Sequence, residues 1–76
     1  MLKPYFIFEE KFMNRIKFIL KEQGRTQRWL AQKLDKSYVN VSYYCNNKIQ
    51  PPVSVLFKIS KILDVDVRIL LESTKK

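Results

Sequence analysis

Apolar positions in this 76-residue chain recur at intervals of three and four, the period of amphipathic helices. Phe12, Ile16, Ile19 and Leu20 mark a first stripe. It predicts a helix beginning at Glu9, with Glu9 and Glu10 at its positive end and Gly24 closing it. Leu30, Ala31 and Leu34 mark a second helix over residues 27–34, with Thr26 as its N-cap. Asp35 and Lys36 break that pattern, and Ser37 supplies a new cap before Tyr38, Val41, Tyr44 and Cys45. Residues 46–52 read as a loop. Pro51 and Pro52 set the chain for a fourth helix through Val53, Leu56, Phe57, Ile59 and Leu63, which Asp64 ends. Asp66 then caps a short fifth helix through Val67, Ile69, Leu70 and Leu71. The expected organisation is an apolar N-terminal arm at 1–8, an all-α five-helix domain at 9–72 and a fraying tail at 73–76.

The connection between the second and third helices is only about three residues long. Helices joined that tightly cross steeply and share a buried face, the arrangement of a helix-turn-helix. Ala31 is small at the expected crossing point, with Leu34, Val41 and Tyr44 placed to fill the space around it. The outer face of the third helix is left for a partner.

With these residues in view, the chain resembles the lambda-repressor-like, Xre-type helix-turn-helix proteins, over about residues 14–72. Thr26, Gln27, Leu30, Ala31, Leu34, Ser37, Val41 and Ser42 match the family's pattern, followed by Pro51, Leu56, Ile59 and Leu63 in its next helix. Asp35 stands where the family has a turn glycine, Lys36 where it has an apolar residue, and Cys45 where a glutamate is common. Asn47 also replaces a glycine, and asparagine tolerates a left-handed backbone better than most residues. The resemblance implies a five-helix lambda-repressor-like bundle and a DNA-binding transcriptional regulator.

Charge sharpens that picture. Fifteen Lys and Arg against seven Asp and Glu leave a net charge of +8. Between positions 25 and 61 lie Arg25, Arg28, Lys33, Lys36, Lys48, Lys58 and Lys61, against Asp35 alone. The basic excess therefore coincides with the motif, which points to a polyanion whose phosphates release counterions on binding. The chain has no histidine, a single cysteine and a single glycine. That excludes imidazole acid–base catalysis, an internal disulfide and a glycine-rich phosphate cradle, so neither an enzyme nor a cofactor is expected. No run reaches the roughly 18 apolar residues a membrane span needs, and acidic residues come too early for a signal peptide, so a cytoplasmic setting is expected.

The resemblance implies that the third helix, residues 38–46, enters the major groove with Tyr38, Val39, Asn40, Ser42 and Tyr43 towards the bases. Asn40 can pair with adenine through two bonds, and Val39 can meet a thymine methyl. Gln27, at the start of the second helix beside free backbone N–H groups, is the leading phosphate contact; Arg28, Lys36, Asn47 and Lys48 join it. Trp29 and Tyr44 are expected to pack inward, and Cys45 to act as a small buried filler.

The expected partner is double-stranded DNA, bound by a homodimer with recognition helices about 34 Å apart. The dimer surface is expected either at residues 51–53 with Val67, Leu70 and Leu71, or at arm residues 5–8. The alternative reading is a protein-interaction module, an antitoxin or adaptor holding a protein through residues 1–8. Neither reading involves a membrane or a small-molecule substrate.

Overall fold

The computed structural model describes residues 12–73; the arm at 1–8, Glu9, Glu10 and residues 74–76 lie outside them. Chain order is β1 (Phe12–Asn14), α1 (Ile16–Glu22), α2 (Gln27–Leu34), α3 (Tyr38–Cys45), α4 (Val53–Leu63), a single 3₁₀ turn (Val67–Leu70) and β2 (Leu71–Ser73).

Local chemistry explains the helix boundaries. Thr26 Oγ1 accepts the Trp29 backbone N–H at 2.9 Å, and Ser37 Oγ accepts that of Asn40 at 3.1 Å. Each satisfies a donor that the first turn would otherwise leave bare, worth about 1 kcal/mol apiece. At the other end of α2, Asp35 takes the left-handed conformation with φ 57°, the role a glycine usually fills. The Asp35 and Lys36 N–H groups then return to the Gln32 and Ala31 carbonyls, at 3.2 and 3.1 Å. Asp64 repeats the device after α4 with φ 58°. Gly24, at φ 69°, lies just past the end of α1.

The core draws on every helix. Ile16, Ile19 and Leu20 of α1 meet Leu30, Ala31 and Leu34 of α2, Val41 and Cys45 of α3, and Val55, Ile59 and Leu63 of α4. Leu70 closes it from the 3₁₀ turn with no exposed surface. Trp29, Tyr44, Leu56, Ile62 and Val65 pack around this centre.

Two expectations need correction. The first helix does not start at Glu9 and does not include Phe12: residues 12–14 pair antiparallel with 71–73, Phe12 opposite Ser73 and Asn14 opposite Leu71. Spacing misleads here because Phe12 and Ile16 sit four apart, which a helix explains as readily as a strand followed by a turn. Pairing with residues 71–73 decides it, and the Asn14 side chain then accepts the Ile16 N–H at 3.1 Å just ahead of α1. The fifth helix is one 3₁₀ turn, after which Leu71 is in a strand, so the described residues hold four α-helices. Asp66 caps that turn through Arg68 N–H at 2.9 Å. The side-chain hydrogen bond from the Arg68 guanidinium also pulls the Asp66 carboxyl down to about 2.

Candidate nucleic-acid interface

α3 divides sharply into two faces. Val41 and Cys45 turn inward, while Tyr38, Val39 and Tyr43 remain 43, 54 and 40 % exposed. Asn40 is exposed as well, and its side-chain amide has no hydrogen-bond partner among the described residues. Tyr44 goes to the core edge. Ser42 is half-buried, and its hydroxyl and carbonyl are both engaged by Asn46 Nδ2, at 3.2 and 2.9 Å.

Beside this face stands the N-terminus of α2. Gln27 is half-buried there, and the backbone N–H groups of Gln27 and Arg28 have no acceptor among the described residues. Bare donors and the positive end of the helix make this a suitable seat for a phosphate. The Arg28 guanidinium lies over the Tyr38 ring, 4.6 Å from its centroid, and so bridges the two helices of the motif. Cation–π stacking holds this long side chain near the mouth of the motif at lower entropic cost. Lys36 is half-buried in the turn, and Lys48 is exposed.

Asn47, expected at a phosphate, takes the left-handed conformation with φ 61°. Its amide faces the protein: Oδ1 accepts the Asn14 N–H at 2.8 Å and Nδ2 donates to the Asn14 carbonyl at 3.3 Å. Two residues absent from the sequence reading border the interface. Asn46 joins the end of α3 to Lys17, whose Nζ donates to Asn46 Oδ1 at 3.1 Å, and Asn14 anchors the loop behind it. Their partners lie about thirty residues away, beyond what helical periodicity carries.

Trp29 packs on the core as expected, its ring flanked by Arg25 at 4.2 Å and Lys33 at 5.9 Å. Cys45 is 2 % exposed, and burial pushes its thiol up to about 11, with Lys17 opposing only weakly. Its thiolate is therefore scarce at neutral pH. Alkylation by iodoacetamide at pH 8 should be slow in the folded protein and rapid after unfolding; equal rates in both states would contradict this burial.

Among the described residues no helix is long and apolar enough to cross a membrane, and no cluster of acidic or sulfur ligands could hold a metal.

A helix with an exposed outer face, packed by its predecessor and flanked by open backbone donors, is the arrangement of a helix-turn-helix. The profile of the helix-turn-helix family HTH_3 matches residues 16–70, and the chain belongs to that family of lambda-repressor-like, Xre-type proteins. The crystal structure of a candidate DNA-binding protein from Bacteroides fragilis is similar, with a TM-score of 0.80 and 44 % identity over 82 % of this chain and 100 % of that one. No curated protein matches the chain.

Proposed function

We propose that this protein is a sequence-specific double-stranded DNA-binding transcriptional regulator of the repressor-like kind, and not an enzyme. It reads the major groove with α3. The observation that carries this reading is the exposed Tyr38, Val39, Asn40 and Tyr43 face beside the open N–H groups of α2. Family membership, a net charge of +8 and the similarity to the Bacteroides fragilis protein support it.

Roles divide by chemistry. Asn40 and Val39 specify bases, with Tyr38, Ser42 and Tyr43 at the edges of the same surface. Gln27, Arg28, Lys36 and Lys48 position the protein on the backbone. The same groove end includes Asn47, whose inward-facing amide makes it the weakest contributor of that set.

A single helix reads few base pairs, so the working form is a homodimer on an inverted repeat. Support comes from apolar side chains left in water: Val53 is 68 % exposed and Phe57 50 %. Val53, Val67 and Leu71 remain accessible in the first of the two expected surfaces, whereas Pro51 is buried and Leu70 belongs to the core. The setting is the cytoplasm, with DNA as the partner.

The test is Gln27→Ala. Specific and mixed-sequence duplexes should lose affinity alike, by about tenfold, because a charge-assisted bond to phosphate carries no base information. The dependence on salt should stay at the parent's value, since a neutral side chain releases no counterion. Binding equal to the parent's would show that the phosphate seat lies elsewhere.

A further inference from the structure

Asn14 lies outside the helix-turn-helix, at the end of β1, and is only 6 % exposed. Its side chain is fully used. One Nδ2 hydrogen goes to the Tyr44 carbonyl in the last turn of α3, the other to Gln50 Oε1, both at 2.8 Å. Oδ1 accepts from Ile16 at 3.1 Å. Asn47 grips the Asn14 backbone on both sides, at 2.8 and 3.3 Å, and Gln50 Nε2 closes the ring on Asn47 Oδ1 at 2.9 Å.

Starting α1 needs only the Oδ1 acceptor. The two donors go elsewhere, to the end of the recognition helix and to the loop that carries Lys48. At its α3 end the loop is tied by Asn46 to Ser42 and Lys17, and Lys48 and Ile49 return their N–H groups to Tyr43; further along, Lys48, Ile49 and Gln50 are exposed and Gln50 is held through Asn14 and Asn47. An amide buried this far costs desolvation unless every bond is made, so losing the Asn14 side chain removes the donor shared by the end of α3 and Gln50 and leaves Asn47 on the Asn14 main chain.

We infer that Asn14 is a positioning residue for DNA binding, holding the loop 46–52 against α3 so that the Lys48 ammonium reaches a phosphate. The inference rests on the DNA-binding reading above. Asn14 itself touches no DNA; it acts through Lys48, and part of the electrostatic affinity depends on a residue buried behind the interface.

The experiment is a double-mutant cycle on the full chain, with a mixed-sequence duplex titrated over a range of salt. Lys48→Ala should lower the log–log salt slope by about 0.9 in magnitude, the share of one phosphate. Asn14→Ala should reduce the slope by a similar amount and weaken binding about tenfold. The two changes together should lose no more than Lys48→Ala alone, because both remove the same contact. Circular dichroism at the titration temperature confirms that the variants are folded. If Asn14→Ala does not fold, Gln50→Ala takes its place: that exposed residue leaves the core intact and should show the same fall in slope. A parental slope in the folded variant, or losses that add in the double variant, overturns the inference. Failure of the parent chain to bind the duplex removes the DNA-binding reading beneath it, a result distinct from either.

Discussion

Leu30→Ala should cost about 2 to 5 kcal/mol of folding stability, the range for truncating a fully enclosed leucine. Leu30 has no exposed surface and lies in the common core on α2, which packs against α3 and α4. A domain this short buries a smaller share of its surface than a large one and has a modest margin to lose. At about 4 to 8 °C per kcal/mol for domains of this size, the melting temperature should drop by at least about 8 °C. Urea unfolding followed by circular dichroism measures the loss directly. A change below about 1 kcal/mol would mean that α2 is not clamped as described. DNA adds a second readout, because a ligand that binds only the folded state returns about 2.7 kcal/mol at a hundredfold excess over its Kd. Leu30→Ala should therefore regain much of its melting temperature with duplex present, since its contact surface is untouched.

Features legible from the sequence are those whose cause lies within a few residues. Thr26 and Ser37 cap helices through N–H groups three positions on, so the starts of α2 and α3 follow from the side chains alone. Asp35 and Asp64 end helices in the left-handed conformation without glycine, and the break in apolar pattern is enough to locate both. The inward set of the motif, Leu30, Ala31, Leu34 and Val41, follows from period in the same way. What escaped the sequence depends on contacts between distant residues. The strand at Phe12 exists because residues 71–73 run beside it, and no window around Phe12 contains that partner. Leu70 and Leu71 read as one helical face, yet Leu70 fills the core and Leu71 enters a strand. Asn14 gave no signal as a lone asparagine among apolar and basic neighbours; its role exists only once Tyr44 and Gln50 are brought to it.

The interface shows the same division. Tyr38, Val39, Asn40 and Tyr43 are outward by helix geometry, while the stacking of Arg28 on Tyr38 is a tertiary consequence of the short turn. Stacked this way, Arg28 links the N-terminal end of α2 to the N-terminal end of α3. A shift of one helix would be felt by the other.

Asn40→Ala should separate specificity from electrostatics. The exposed Asn40 amide has no partner among the described residues, so removing it leaves no buried group unsatisfied and stability should hold. Its backbone N–H still donates to Ser37 Oγ, so the cap of α3 survives. Against the preferred duplex, recovered from a random pool, affinity should fall by about 1 to 3 kcal/mol, the worth of one bidentate base contact. Against mixed sequence it should barely change. The salt slope should match the parent's, because no phosphate is released or gained. This pattern is the reverse of that expected for Gln27→Ala, which weakens all sequences alike. Reselection with the Asn40→Ala protein should return the same inverted repeat with one position in each half-site relaxed. Equal losses on preferred and mixed DNA would instead place Asn40 on the backbone, and the reading of α3 by base edges would pass to Val39 and the two tyrosines.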